Sequence, residues 1–395
     1  MIDRPSLFTI FRVFLMLGLT SFGGPVAHIG YFRHCFVDQR KWITPMAFQS
    51  LFALCQMLPG PNSSQLGFAL GLRWGGLAGG CLAFIGFTLP SAIIMIGFGY
   101  GLVYSGADLG QLINALKLVT AAVVLHAVTG MARGFAGGMV TSLLAFAMMS
   151  VVLYLNMPFL HPVFILLAGL IGMLILPIDH KDINSPASAA PLRPFRSLIW
   201  LWGFAGIGAA LLFIAHAHPD RFWFALSQFY LAGSLVFGGG HVVLPLLQAS
   251  VVETELVSLA DFLAGYGMAQ VIPGPLFTFG GFLGAVMGSN NGMGAIWFGI
   301  IAMLMLFLPS FLLVLGVMPF WEGWMRSRRF QAAMAGINAA VVGLLAAVLI
   351  DPVLVSAIHD YVDVVVVAAG FIVLLSGRVN AGIVVLGLVA VGWLI

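Results

Sequence analysis

Apolar positions run along this chain in long unbroken stretches, and they do not alternate at the period of an amphipathic surface helix. A membrane-crossing helix needs about 20 mostly apolar residues. That ruler marks segments near 7–29, 46–72, 76–103, 112–131, 137–155 and 158–177, then 197–215, then 223–247, 259–285, 293–318, 332–350, 362–376 and 380–395. The longest polar interval, Asp179 to Arg196, reads as a linker. The pattern predicts an all-α polytopic membrane protein of about 13 segments, since only helices or closed barrels satisfy the backbone in lipid. Gly and Pro clusters inside several segments mark places where a helix can break or fold back.

Composition narrows the class. Of 395 residues 61% are hydrophobic and 7% charged, against roughly 25% charged in soluble domains. So few charges cannot coat a water-soluble surface, which excludes a soluble enzyme or a nucleic-acid-binding domain and makes the lipid bilayer the first partner. The net charge of +3 fits Lys and Arg gathered in cytoplasmic loops. Cys35, Cys55 and Cys81 form no disulfide framework or metal spacing and read as packing residues. No cleavable signal peptide is expected at the start M-I-D-R-P-S-L-F. Metalloprotease, hydrolase and nucleotide-binding motifs are missing, so no catalytic residue, metal or cofactor is expected. A homodimer is compatible with such a chain.

The chain also repeats itself. Phe22-Gly23-Gly24 recurs as Phe237-Gly238-Gly239, and Gln56-x-x-Pro59-Gly60-Pro61 recurs as Gln270-x-x-Pro273-Gly274-Pro275. Leu89-Pro90-Ser91 recurs as Leu308-Pro309-Ser310, and Ala121-Ala122-Val123-Val124 as Ala339-Ala340-Val341-Val342. The offsets are 215, 214, 219 and 218, so order and spacing hold together. One repeat is expected over 7–177 and a second over 223–395, with 178–222 a linker carrying the extra span 197–215. A single span between two even-numbered units inverts the second, an arrangement common in secondary transporters. If each segment crosses once, eleven basic residues fall on the side of the N-terminus and four on the other. That side is then cytoplasmic and the C-terminus lies outside. Arg33, Arg40 and Lys41 fit this count poorly unless the first two segments form a pair that does not fully cross.

Candidate chemistry gathers at the repeated breaks. The prolines of Gln56-Met57-Leu58-Pro59-Gly60-Pro61 interrupt a helix, and Asn62, Ser63 and Ser64 are residues that start a new one. Its free N–H groups and positive dipole end would suit an anion. The second copy keeps Gln270, Pro273, Gly274 and Pro275 but offers only Thr278 as a hydroxyl. Gly23, Gly24 and Pro25, with Gly238, Gly239 and Gly240, allow close backbone approach, equally to a helix or to a ligand. His28 and His241 follow these glycines at positions that do not align. Each could pair with an anion, carry a proton or simply be a bonded core histidine. Lys117 either snorkels to the interface or assists an anion at depth. No Asp or Glu falls firmly mid-span, and intramembrane carboxylates are the usual partners of cations. That tilts the expected cargo towards an anion.

F-G-G-P-x-A-H-I at 22–29, Q-x-L-P-G-P-N at 56–62, F-G-G-G-H-V-V-L-P-L-L at 237–247 and G-Y-G-M-A-Q-V-I-P-G-P-L-F-T-F at 265–279 resemble the CHR chromate ion transporter family. The likeness is to its long-chain, two-domain members and covers both repeats. It implies a multi-pass protein of the bacterial inner membrane that exports chromate, driven by the membrane's ion gradients and sensitive to sulfate. Uptake or exchange of sulfate or another oxyanion is the alternative reading, and an anion channel a third.

Overall fold

The structure, a computed structural model, describes residues 5–104, 110–155, 160–176, 194–218, 220–237, 240–290, 292, 294–321 and 327–394. Among these residues the regular elements are all helical. In chain order they are α1 (Leu7–Thr20), α2 (Gly24–Arg33) with a π turn (His34–Gln39), α3 (Pro45–Met57), α4 (Asn62–Tyr104), α5 (Gly110–Phe135), α6 (Met139–Leu155) and α7 (His161–Ile175). Helix α8 (Pro194–Ala217) links to α9 (Arg221–Leu235), a 3-10 turn (Gly240–Val242), α10 (Val243–Leu247), a π turn (Gln248–Val252) and α11 (Leu259–Val271). A 3-10 turn (Leu276–Thr278) leads into α12 (Phe279–Asn290), followed by α13 (Ala295–Val317) and α14 (Arg328–Val348), which runs on through Leu349–Leu354 and Val355–Ala357. The chain ends with α15 (Tyr361–Ser376) and α16 (Ala381–Leu394).

Among the described residues five helices are long and apolar enough to cross a membrane: Asn62–Tyr104, Gly110–Phe135, Ser197–Ala217, Ala295–Val317 and Arg328–Ala357. With the shorter apolar helices around them they make a polytopic membrane protein. The outer face of α8 is apolar, with Ile199, Trp202 and Phe213 67%, 76% and 73% exposed, a surface that suits lipid.

Four of the expected segments are not single helices. Segments 7–29, 46–72, 223–247 and 259–285 each split into two shorter pieces at the glycine or proline motif. Helix α1 has 14 residues and α3 has 13, lengths of about 20 Å. Local chemistry sets where they start. Ser6 and Asp220 cap α1 and α9, and Thr44 and Ser258 cap α3 and α11, each accepting a backbone N–H of the first turn. Both cap pairs sit 214 residues apart, so the caps repeat with the motifs.

The pieces on either side of a break fold back on each other. Phe14 of α1 packs on Phe32 and Phe36, with centroids 5.6 and 5.1 Å away, and Arg12 shares a cavity of about 480 Å³ with Arg40. Trp42, just before α3, meets Trp74 at 5.0 Å. Residues near 12, 40 and 74 therefore gather at one end of the bundle. In the second repeat, Phe279 of α12 packs on Phe262 and Tyr266 of α11 at 5.1 and 5.7 Å.

Helix α4 is itself a bent pair of arms, 62–74 and 77–104. The bend falls at Gly76, whose φ of 62° lies in the left-handed region that suits glycine. The arms pack so closely that a Cβ on Gly71 would meet Ala83 Cβ at 2.7 Å.

The two repeats are interwoven. Helix α5 packs on α11, α15 and α16, while α14 packs on α6 and α7. Aromatic pairs cross the boundary, Phe68 on Phe311 at 4.6 Å and Phe84 on Phe307 at 4.9 Å. Such pairs add about 0.5–1.5 kcal/mol each beyond simple burial.

Two matched glycines allow close helix approaches. A Cβ on Gly18 would lie 2.5 Å from the Phe87 carbonyl oxygen, and one on Gly233 would strike the carbonyl of Leu306. Gly18→Val and Gly233→Val should therefore each destabilise the protein by about 1–3 kcal/mol through overpacking. Thermal unfolding in detergent checks this; an unchanged midpoint for both would mean α1 and α9 do not seat on these carbonyls.

Candidate functional site

The four breaks meet at the centre of the bundle, each joined to a break of the other repeat. The Gly60 N–H donates to the Val236 carbonyl at 2.7 Å, and the Gly274 N–H donates to the Ser21 carbonyl at 3.1 Å. Each Pro-Gly-Pro turn is thus bonded to the chain beside the other repeat's Phe-Gly-Gly motif. Gly60 and Gly274 hold φ of 129° and 106°. Neither has room for a side chain: a Cβ on Gly60 would overlap Ser310 Cβ, and one on Gly274 would lie 2.6 Å from Ser91 Oγ. The Leu-Pro-Ser motifs of α4 and α13 therefore back the opposite repeat's turn.

Ser21 joins the two turns. Its carbonyl also accepts from His28 Nε2 at 3.1 Å, so this nitrogen carries the ring proton. His28 Nδ1 then faces Ser63 Oγ at 3.4 Å. The imidazole is fully buried and stands edge-on to Phe87, centroids 5.2 Å apart. A polar chain from Ser63 through His28 and Ser21 to Gly274 ties the first arm of α4 to the second repeat.

The first turn is richly polar. Gln65 Nε2 donates to the Pro59 carbonyl at 2.8 Å. Asn62, with its amide nitrogen turned to the carbonyls, donates to Cys55 and Gly60, each at 3.1 Å. Pro59, Gly60, Pro61, Ser63 and Ser64 are buried. Ser21 Oγ, Ser64 Oγ, Thr88 Oγ1 and Gln65 Oε1 are buried without a hydrogen-bond partner. Helix geometry leaves the first N–H groups of α4 unpaired as well. Gln56 is exposed, on the other side of α3.

The second turn is different. Leu276, Phe277 and Phe279 stand where the first has Asn62, Ser63 and Gln65. Pro275 and Thr278 are buried, and the Thr278 hydroxyl is spent on the Pro275 carbonyl at 2.8 Å. Gln270 is partly buried, with Nε2 unpartnered. His241 Nδ1 bonds the Tyr266 hydroxyl at 2.8 Å. Gly23 and Gly24 take φ of 97° and 73° where α2 begins. Gly240 is buried, and Gly238, Gly239 and the side chain of Pro25 lie outside the described residues. Lys117 is not brought to the breaks: it lines a separate cavity of about 430 Å³ with Asn114, His359, Asp360 and Asp363.

Comparison with known proteins agrees with this pattern. The family model described as chromate transporter matches residues 8–173 and again 223–393. The chain belongs to the chromate transporter family. Similar proteins include a chromate transport protein of Pseudomonas aeruginosa, 28% identical over 98% of this chain and 92% of its own length. A chromate transport protein of Cupriavidus metallidurans is 27% identical over 84% of this chain and 79% of its own length. An uncharacterized transporter of Methanocaldococcus jannaschii is 28% identical over 88% and 85%. No solved structure matches the chain.

Sequence reasoning about this family member overlooked Ser21, Gln65, Thr88, Ser91 and Ser310. Ser91 and Ser310 stand in the repeated Leu-Pro-Ser motif, which marks the duplication and does not show which turn it will back. Ser21 precedes the glycines and Gln65 follows the helix start, and neither position signals which repeat it will face.

The Gln65 bond is testable alone. Gln65→Leu would leave the Pro59 carbonyl buried and unpaired, a loss of about 1–3 kcal/mol. Its thermal midpoint in detergent should fall well below that of the unaltered protein. An equal midpoint would remove Gln65 from the support of the break.

Proposed function

We propose that this protein is a secondary active exporter of a tetrahedral oxyanion, chromate in the first instance, which it binds at the first Pro-Gly-Pro turn. The observation that carries this reading is the set of buried hydroxyls without a partner on α4 and just before the first Phe-Gly-Gly motif, Ser21, Ser64 and Thr88, together with the start of α4 at the first Pro-Gly-Pro turn. Buried groups left unpaired cost about 1–3 kcal/mol each, and an anion would satisfy several at once. The relatives named for chromate transport support the cargo. Gly23, Gly60, Ser63 and His28 hold the frame. The second turn, from Gly274 to Thr278, closes it from the other side.

The same reading makes the two broken pairs of each repeat re-entrant hairpins, entering from one membrane face in the first repeat and from the opposite face in the second. Only the second arm of α4 with α5–α7, the linking α8, and α13–α16 then cross. The sidedness of charge supports this. Arg33, Arg40 and Lys41 move to the face of the N-terminus, so fourteen of the sixteen lysines and arginines lie there, with Arg221 opposite and Lys117 at depth. That is a far cleaner positive-inside bias than thirteen crossings allow. Alternating access would come from the inverted units rocking about the joined breaks.

Three outcomes test these statements. In everted vesicles energised by respiration, labelled chromate should accumulate against its gradient, and excess sulfate should compete; purely downhill flux would favour a channel. Ser64→Ala should raise the half-saturating chromate concentration about tenfold, the effect of one lost hydrogen bond to a charged ligand, without lowering thermal stability. An unaltered concentration dependence removes Ser64 from the site. A single cysteine at position 39, in a chain with Cys35, Cys55 and Cys81 replaced, should react with a membrane-impermeant thiol reagent in everted vesicles and not in intact cells. Thirteen full crossings demand the reverse.

A further inference from the structure

The second repeat carries a polar cluster that the first lacks. His241 bonds Tyr266, which is fully buried, and the rings stand edge-on with centroids 6.5 Å apart. His126 of α5 has a buried Nδ1 without a partner. Gln270, four residues on from Tyr266 in α11, has its Nε2 likewise buried and unpartnered. By the motif offsets, Val26, Phe52 and Leu344 occupy the positions that match His241, Tyr266 and His126. The cluster is therefore not needed to build this fold, since its apolar version stands in the same chain.

The two histidines beside the Phe-Gly-Gly motifs differ in one decisive respect. His28 is sealed, with both ring nitrogens engaged. His241 is only partly buried, so a proton can reach and leave it. The Tyr266 hydroxyl can donate to a bare Nδ1 or accept from a protonated one by rotating its O–H. The ring can thus hold one proton or two without losing this bond. The groups facing it are few. Helix α5 carries Lys117, His126 and Arg133; α11 supplies Tyr266 and carries Asp261 in its first turn. The turn Leu276–Thr278 and α10 supply none, and α14 carries Arg328 and Arg329, exposed in its first turn, and Asp351, exposed in its continuation.

We infer that His241 is the proton-binding residue that couples transport to a proton gradient, with Tyr266 positioning its ring. The inference rests on the transporter reading above. The imidazole takes a proton from hydronium or a buffer acid on one side, leaving water or the buffer base. It returns that proton to water on the other. No electrons move and no bond to the anion forms.

The test uses the full-length protein in proteoliposomes with the membrane potential clamped at zero. Two quantities are read: isotope exchange of chromate at equal pH, and uphill accumulation driven by an imposed pH gradient. The unaltered protein should do both. His241→Gln should keep exchange and lose gradient-driven accumulation, and Tyr266→Phe, which copies the first repeat, should weaken accumulation while sparing exchange. If His241→Gln loses exchange as well, Tyr266→Phe decides between coupling and folding. Accumulation by both variants at the unaltered level would overturn the assignment, as would an unaltered protein indifferent to the pH gradient. Failure of the unaltered protein to exchange either chromate or sulfate would instead sink the transporter reading itself.

Discussion

Everything at the centre of this molecule depends on one requirement: backbone exposed by a helix break in a membrane must find partners within the protein. Four breaks cannot each be satisfied locally, because Pro and Gly remove the donors and the regular angles that a helix would use. They are satisfied by each other. The Ser21 carbonyl takes hydrogen bonds from Gly274 of the other repeat and from His28 of its own, and the Val236 carbonyl takes one from Gly60. For these bonds to form, the broken pairs must meet tip to tip. Ser91 and Ser310 then lie directly behind the turns, which leaves Gly as the residue that fits at 60 and 274.

This central knot explains why the halves are interwoven. With the tips joined across the repeat boundary, the remaining helices cannot pack as two separate bundles. Helix α14 seats on α6 and α7, and α5 on α15 and α16. Motion that opens one face of the knot must strain the other, because the same few carbonyls hold both. On the reading proposed here, that is how the protein would open to one face at a time.

Duplication supplied two equal frames, and the sequence since then has made them unequal. Asn62, Ser63, Ser64 and Gln65 give the first turn its polar groups, while Leu276, Phe277 and Phe279 make the second apolar. The second repeat carries instead His241, partly buried, bonded to the buried Tyr266. On the reading proposed here one frame holds the anion and the other the proton, in a membrane interior with hardly any fixed charge.

Much of this was legible in the residues. Continuous apolar runs, sparse charge and four motifs in register specify a duplicated helical membrane protein, because hydrophobicity and the backbone's need for hydrogen bonds are local properties. The break positions were legible too, since Pro59 and Pro61 act on their own helix. Which break faces which was not. The pairing of Gly60 with Val236, the turning back of segments 7–29 and 46–72, and the distance of Lys117 from the breaks all depend on residues far apart in the chain. A Gln at 56 and a Gln at 65 look alike in sequence; packing alone leaves the first exposed and sets the second against the Pro59 carbonyl. Sequence by itself determined the class, the duplication and the weak points of the helices, because each is decided within a few turns of chain. Only the tertiary structure decided what those weak points bind, because an unpaired carbonyl is satisfied by whichever donor the fold brings to it.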